Sequence, residues 1–251
     1  MQLNNMYEHH FVKRVIKESM DVLTVLYKGN IPPIDRDDDP MPDEHQFYIL
    51  RVGHRIKSLV VWCKQLDQTI QYISNFSVSS AMKRKGITRH SYLAYHIENH
   101  IIRVASVYDR VLHLVDAVFH LCNDPQNCTQ DVIINNLKVK RTDIPSSLKP
   151  LKRLLKEYKY PRNSVVHFEP YEDKLLRRLE LYSFFTEDSP ELDEKFRRNI
   201  RYLQREAASD IIKDKKKEFT QLNKSIAEAL SLVLDKLEVH YGNNEKILRV
   251  S

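Results

Sequence analysis

Apolar side chains recur at helical spacing over most of this chain, and few residues are present that would interrupt a helix. The segment 45–76 is a clear example, with an apolar stripe made of Ile49, Val52, Ile56, Leu59, Val60, Cys63, Leu66, Ile70 and Ile73. Such a stripe places one face of a helix against a core. The 251 residues include only 4 glycines and 10 prolines, so tight turns are scarce. The pattern therefore predicts an all-α fold built from long helices.

Further helices are predicted at 5–28, 90–123, 129–137, 146–159, 172–185 and 191–241. The end of the last segment alternates apolar residues by three and four, which suits packing against another helix: Phe219, Leu222, Ile226, Ala229, Val233 and Leu237. No strand, glycine-rich phosphate loop, zinc signature or internal repeat is recognisable. A chain of this length forms one large domain or two small ones, and we predict a single all-α domain over 1–251.

Net charge, cysteine spacing and the length of apolar runs limit the kinds of protein that this chain can be. The formal net charge of +6 is compatible with nucleic-acid binding but not diagnostic of it. Cys63, Cys122 and Cys128 have no zinc-ligand spacing, so they are expected to be ordinary thiols in a reducing compartment. The sequence shows no secretory leader and no apolar run of membrane length. We therefore expect a soluble, cytoplasmic protein without a membrane partner.

Two segments of the chain are rich in potential metal ligands. His9 and His10 are adjacent, so they point in different directions on a helix, and solvent-facing histidines are the expected arrangement. The proline-rich acidic segment 29–44 lacks the spacing of a calcium loop and is predicted to be a solvated linker. We therefore predict no metal site and no cofactor.

The stretch Tyr160-Pro161-Arg162-Asn163-Ser164-Val165-Val166-His167 carries the most chemistry. Pro161 suits a first helical turn, which predicts a short helix that starts there, with Arg162 and Asn163 beside free backbone N–H groups that favour an anion. Arginine binds phosphate with a fixed charge, and histidine exchanges protons near neutral pH. The two lie about 140° apart on a helix, so they meet on one phosphate only through the reach of arginine or through a second copy of the chain.

The same residues also have a plain interpretation. With 11 His and 40 Lys+Arg in the chain, about one Arg-x-x-x-x-His is expected by chance, so the spacing alone decides nothing. A basic cluster at Lys83, Arg84, Lys85 and Arg89 is either solvated or follows a phosphate backbone. The helix at 146–159 is basic on one face and leads into the motif, and the run at 213–217 is expected to be a solvated face. In the helix 90–123, a polar stripe that includes Glu98, Asn99 and Arg103 is either exposed or forms a buried network.

RNSVVH at 162–167 resembles the Arg-polar-x-x-x-His signature of the HEPN superfamily of all-α ribonucleases and RNA-binding domains. The segment IENHIIRVASVYDRVLHLVD at 97–116 is similar to the long helix that precedes this signature in one branch of the superfamily. The resemblance implies an antiparallel helical bundle with a HEPN-like core at about 45–185, extra N-terminal helices, and a C-terminal helical extension at 186–251. It also implies a homodimer in which two motifs form one cleft.

The resemblance further implies a metal-independent endoribonuclease, often a toxin or an anti-phage effector. His167 would handle protons, Arg162 would stabilise phosphoryl charge, and Asn163 would orient the histidine or the RNA. Glu98, Asn99 and Arg103 would support them. The expected partners are an RNA substrate, a second copy, and a regulatory protein such as an antitoxin. Two alternatives stay open: a non-catalytic HEPN module that binds RNA or a partner protein, and an accessory subunit whose C-terminal arm docks elsewhere.

Overall fold

The computed structural model describes residues 2–30, 40–75, 79–187 and 193–250, with the backbone alone at 83, 184, 186 and 187. In these ranges the regular structure is helical and no strand occurs. Two short 3-10 helices form at Leu3–Glu8 and Pro125–Asn127. The α-helices are α1 (His10–Leu26), α2 (Glu44–Ser74), α3 (Ser80–Arg84), α4 (Arg89–Ala105), α5 (Val107–Val118), α6 (Gln130–Asn135), α7 (Leu137–Lys140), α8 (Ile144–His167), α9 (Lys174–Glu187) and α10 (Glu194–Val250). The all-α prediction is confirmed, and the central part of the acidic linker, 31–39, lies outside the described residues.

Two differences between the predicted and the observed helices concern the motif and the helix that resembles its family partner. The single helix expected at 90–123 is divided into α4 and α5 at Ser106, whose φ of −87° and ψ of −5° interrupt the regular ladder. Serine is a weak helix former because its hydroxyl competes for backbone hydrogen bonds. The second error concerns Pro161, which was expected to begin a new helix. It lies inside α8, so the helix at 146–159 and the motif form one continuous element.

The chain forms two compact units, and α2, α8 and α10 contribute residues to both. The first unit contains 1–64, 106–155 and 224–251. Its core includes Tyr48, which donates a hydrogen bond to the carbonyl oxygen of Val118 at 2.8 Å and stacks on Tyr241 with ring centroids 5.4 Å apart. Arg51 forms an ion pair with the buried carboxylate of Asp116. Buried aromatic rings of this size each stabilise the fold by about 1.5–3 kcal/mol.

The second unit contains 65–105 and 156–223, and the candidate site belongs to it. Its core joins α2, α4, α9 and α10 through buried apolar side chains: Ile70, Ile73, Leu93, Ile97, Ile101, Leu176, Leu179, Ala207, Ala208, Ile211 and Phe219. Because these four helices pack through their apolar stripes, the polar faces of the same helices are left to build the surroundings of the motif. The proposed division into a core at about 45–185 and an extension at 186–251 stays a prediction.

Across the described ranges, none of the helices has both the length and the apolar character needed to cross a lipid bilayer.

Candidate functional site

The motif Arg162–His167 occupies the C-terminal end of α8, with His167 as the last helical residue. The expectation that Arg162 and Asn163 lie in a first turn with free N–H groups is therefore wrong. Pro161 lacks an N–H and leaves the carbonyl of Glu157 without its usual helical donor, but it does not end the helix. The C-terminal end of a helix exposes backbone carbonyl oxygens, which carry partial negative charge and do not attract an anion. Phosphate binding here therefore depends on the side chains.

The end of α8 is closed by two hydrogen bonds to a single carbonyl. The oxygen of Ser164 accepts from the backbone N–H of Phe168 at 2.8 Å and from that of Glu169 at 3.0 Å. These bonds satisfy part of the carbonyl surplus that every helix end carries. They also fix where the chain leaves the helix after His167, and therefore the direction of the segment 168–173.

Arg162 and His167 lie on different sides of α8. Arg162 follows the buried side of the helix, since it stands four residues after the half-buried Tyr158 and seven after the buried Leu155. It is itself half-buried, whereas His167 is exposed. The ring of His167 has an edge contact with Phe168, at 6.2 Å between centroids. The angle of about 140° expected between the two side chains applies directly, because they belong to one regular helix.

Asn163 is the side chain that connects the two sides of the motif. Its Oδ1 accepts a hydrogen bond from Nη1 of Arg162 at 2.9 Å. It also stands four residues before His167, and residues at this spacing share one face of a helix. Asn163 therefore restrains the guanidinium of Arg162 while it faces the same way as the histidine ring. Among the described hydrogen bonds, none joins His167 to Arg162 or to Asn163.

A shallow depression of about 350 Å³ lies on a third side of the motif. Its lining comes from α8, from the segment that follows it and from α9: Tyr160, Pro161, Ser164, Val165, Glu169, Pro170, Tyr171, Glu172 and Arg177. Arg177 forms an ion pair with Glu172 at 2.7 Å on this surface. The depression presents the motif's two central residues rather than Arg162 and His167, so it is not the place where the motif's arginine and histidine meet.

The predicted supporting residues on α4 form two separate sets of contacts. Glu98 accepts a hydrogen bond from the backbone N–H of Tyr171 at 2.8 Å, which holds the segment directly after the motif. Arg103 donates to Asn99 at 2.6 Å and also to Gln65 on α2. These three residues are half-buried and hydrogen-bonded, so neither the exposed face nor the buried network describes them fully. Glu98 is the member that reaches the motif's own segment.

Lys215 of α10 also contacts the segment that follows the motif. Its ammonium nitrogen lies 3.2 Å from the hydroxyl of Tyr171, 3.3 Å from a carboxylate oxygen of Asp173 and 2.9 Å from one of Glu218. Tyr158 of α8 donates to Glu218 at 3.3 Å. Burial opposes the charge of the lysine, but the hydrogen bond to Glu218 and the charges around it outweigh burial and raise the pKa of Lys215. We call these five residues the Lys215 network.

The Lys215 network corrects one expectation, since the run 213–217 was predicted to be a solvated face. Lys215 is only 6% exposed, whereas Lys216 and Lys217 are exposed. The signal was present in the sequence, because Lys215 stands four residues from Ile211 and four from Phe219, both of which are buried. A lysine at a core position of a helix needs a carboxylate or hydroxyl partner. Glu218 stands three residues away on α10, and Tyr171 and Asp173 come from a distant part of the chain.

His100 of α4 lies beside this network inside the core. Its ring stacks on Phe219 with centroids 3.7 Å apart, and its side chain is fully buried. Burial, with a smaller effect from the charge of Lys215, lowers the pKa of His100 to about 3. The ring is therefore neutral near pH 7 and packs as a flat apolar group. It is a structural histidine, in contrast to the exposed His167.

The comparisons with known proteins decide the family. A family model described as Cthe2314-like HEPN matches residues 48–238, which is more than half of the chain. The chain belongs to the HEPN superfamily. The resemblance seen at 97–116 and 162–167 is thus confirmed at the level of the family, and the match extends well into α10. No curated protein and no solved structure is significantly similar to this chain.

The basic cluster of the HEPN chain lies between α2 and α4. Arg84 ends α3, Lys85 and Gly86 form the turn, and Arg89 begins α4. Gly86 has a φ of +71°, a conformation that glycine adopts without strain. Arg84 and Lys85 are exposed and Arg89 is half-buried, while the side chain of Lys83 lies outside the described part of the chain. A role of this cluster in RNA binding stays a prediction.

One group of side chains in the first unit has the composition of a metal site. Ligand atoms of His9, His10 and Asp235 lie within 4.8 Å of one another. His9 is buried rather than solvent-facing as expected, and its Nδ1 accepts the backbone N–H of Phe11 at 3.3 Å. The neutral ring then carries its proton on Nε2, the atom 3.2 Å from Asp235. That nitrogen is a donor to the carboxylate rather than a metal ligand, so the group is a hydrogen-bonded cluster that caps α1.

Proposed function

We propose that this HEPN chain is a metal-independent endoribonuclease that cleaves RNA with Arg162, Asn163 and His167 from two copies of the chain. The observation that carries the proposal is the arrangement at the end of α8. The last turns of this helix carry an arginine restrained by an amide and, on another side, an exposed histidine with no hydrogen-bond partner among the described residues. The arginine suits a phosphate and the histidine suits proton transfer, and both belong to the stretch 162–167 that resembles the HEPN signature and lies within the residues that the family model matches.

The proposed reaction is an internal transfer at one phosphodiester of RNA. A histidine accepts the proton of a ribose 2′-hydroxyl, and the freed oxygen attacks the adjacent phosphorus. The bond from phosphorus to the 5′-oxygen breaks, and a second protonated histidine gives that oxygen a proton. The products are a 2′,3′-cyclic phosphate and a free 5′-hydroxyl. The guanidinium of Arg162 stabilises the charge that gathers on the two non-bridging phosphoryl oxygens.

A second copy of the chain is required by this chemistry. One chain supplies a single His167, and its Arg162 points to another side of the same helix. Two helix ends that face each other would supply two imidazoles and two guanidiniums to one cleft. Such a two-fold arrangement is the commonest symmetry of soluble oligomers. The dimer is part of the proposal.

The proposal is tested by incubating the purified chain with end-labelled single-stranded RNA in the presence of a metal chelator. Wild type is expected to cleave, and the new ends are expected to be a cyclic phosphate and a 5′-hydroxyl. His167→Ala and Arg162→Ala should each lower the rate at least about 100-fold. His54→Ala, which removes an exposed histidine of α2, is the matched control. Cleavage at the wild-type rate by folded His167→Ala would show that His167 is not a catalytic residue.

A non-catalytic HEPN module that binds RNA or a partner protein is the second candidate. The separation of Arg162 from His167 within one chain favours this candidate. Without a histidine nearby, the arginine would bind a phosphate but would not take part in cleavage. Such a protein would bind RNA with a strong dependence on salt and leave it intact at every protein concentration. The cleavage assay above therefore separates the two candidates.

We further propose a cellular role as a toxin or an anti-phage effector that acts on RNA in the cytoplasm and is held in check by a regulatory protein. The support is the family together with the proposed nuclease chemistry. Expression of wild type should arrest growth, and expression of His167→Ala at the same level should not. Equal growth with both forms would contradict a role that depends on cleavage.

A further inference from the structure

The two aromatic side chains that flank the motif are unusually exposed. Tyr160 is 82% exposed and Phe168 is 83% exposed, more than any other aromatic residue in the described ranges. Together with the charged residues beside them they form a surface that the family motif does not account for. Two exposed rings at the two ends of one motif are a place to look for a ligand with flat faces of its own, provided that their neighbours complement the same ligand.

The exposed face of α8 around Tyr160 has a regular composition. Lys156, Tyr160, Asn163 and His167 follow one another at steps of four, three and four residues, so they form one stripe along the helix. Lys159 borders the stripe, and both lysines are exposed. The stripe rises by about 16 Å along the helix axis and ends at His167, beside Phe168. We call these six residues the α8 stripe.

We propose that the α8 stripe binds single-stranded RNA, with bases stacked on Tyr160 and Phe168 and with phosphates held by Lys156 and Lys159. This inference deepens the ribonuclease proposal and rests on it for RNA as the ligand. Aromatic faces stack on unpaired bases of any sequence, and nearby lysines neutralise the backbone that joins them. A strand lying along the stripe enters the site from the α8 side and reaches His167 between the two rings.

The charge of the stripe favours RNA over a second copy of the same surface. Between 156 and 168 the sequence holds Lys156, Lys159 and Arg162 against the single carboxylate of Glu157. Glu157 lies about 60° around the helix from Tyr160, outside the stripe. A second copy laid along the end of the stripe that holds Lys156, Lys159 and Tyr160 would bring the same lysines against each other, which is unfavourable, whereas the proposed dimer joins the copies at the His167 end. A polyanion with flat apolar bases complements both kinds of side chain.

Unpaired bases are required because the rings must reach base faces. In a double-stranded RNA helix the base faces are stacked inside, and only edges and riboses are open to a protein. Side chains on a rigid helix cannot enter between paired bases without opening the duplex. The stripe therefore predicts a preference for single strands over duplexes of the same sequence, a property that lysines alone would not give.

The test measures binding separately from cleavage, by fluorescence anisotropy with a labelled, 2′-O-methylated single strand of about 12 nucleotides, which lacks the attacking hydroxyl. Tyr160→Ala and Phe168→Ala are each expected to raise Kd about fivefold or more. Tyr160→Phe should bind as wild type does, because the ring remains. Tyr160→Leu should bind as weakly as Tyr160→Ala. Tyr95→Ala, which removes a 61% exposed tyrosine of α4, is the matched control.

The outcomes separate this inference from the ribonuclease proposal. If the chain binds the strand through both rings but leaves unmodified RNA intact, the catalytic assignment is wrong and RNA binding by the α8 stripe is supported. If the chain cleaves RNA while Tyr160→Ala and Phe168→Ala keep the wild-type Kd and KM, the stripe is overturned and the catalytic assignment stands. Wild-type binding by Tyr160→Leu, or a loss of dimer mass in the two alanine variants by light scattering, also overturns the stripe.

Discussion

The ammonium of Lys215 lies 3.2 Å from the hydroxyl of Tyr171, which connects α10 to the segment that follows the motif. The carboxylate of Glu98 accepts a hydrogen bond from the backbone N–H of the same Tyr171. The exit of the chain from α8 is thus held by one residue from α4 and one from α10. Since His167 precedes this exit directly, the network contributes to where its ring is placed.

Replacement of Lys215 by methionine should destabilise the second unit. The substitution removes a buried ammonium and leaves Tyr171, Asp173 and Glu218 without their shared donor. Because Asp173 and Glu218 retain some contact with water, we expect a loss of about 1–3 kcal/mol in the free energy of unfolding. Urea denaturation measures it, and Lys216→Met at the exposed neighbouring position is the control. Equal midpoints for the two variants would show that the network adds no stability.

Burial of His100 should make the protein less stable in mild acid. Its pKa is lowered from 6.5 to about 3 on folding, chiefly by burial. Between these values the unfolded chain binds a proton that the folded chain does not, so stability falls as the pH drops below about 6.5. The contribution from this residue alone is about 2 kcal/mol between pH 7 and pH 5.

The variant His100→Phe tests this pH dependence, because phenylalanine keeps a flat ring against Phe219 and cannot be protonated. The quantity of interest is the change in unfolding free energy between pH 7 and pH 5 within each protein. This separates titration from any packing cost of the larger ring. Wild type should lose more stability than the variant over this range. The same loss in both proteins would assign the acid sensitivity to other groups.

Asn163 should act on catalysis through Arg162. Asn163→Ala removes the 2.9 Å hydrogen bond that restrains the guanidinium. A displaced arginine stabilises the transition state less well, and we expect kcat to fall about tenfold, with little change in the unfolding midpoint. Ser164→Ala, on another side of α8, serves as the comparison. An Asn163 variant that cleaves RNA at the wild-type rate would show that the hydrogen bond has no catalytic use.

The helical pattern of the sequence predicted some elements well and others not at all. Apolar residues spaced by three and four gave α2 at 45–76, close to the observed Glu44–Ser74. The same spacing could not show that Pro161 lies inside α8, because proline also suits a first helical turn and the apolar pattern does not distinguish the two positions. The preference of proline for a first helical turn therefore predicted a helix start at Pro161. In the structure the motif is the C-terminal end of α8.

The surroundings of the motif depended on contacts between distant segments. Glu98 was predicted as a supporting residue, and it reaches Tyr171 of the segment after α8. Lys215 was missed, although its spacing from Ile211 and Phe219 marks a core position. The spacing marks the buried position, but it gives no sign of Tyr171 and Asp173, the partners that the segment before α9 brings to the lysine. The spacing of apolar residues in one helix predicts which face is buried. It does not predict which other segments pack against that face.

The most direct test of the composite site is a mixing experiment with wild type and His167→Ala. The two forms are unfolded and refolded together, or coexpressed, at constant total concentration and varying wild-type fraction. If each cleft needs the His167 of both copies, activity falls as the square of that fraction, to about one quarter in an equal mixture. If one chain holds a complete site, activity falls in proportion, to about one half. We predict the quadratic result, and a linear decline would contradict the two-copy site.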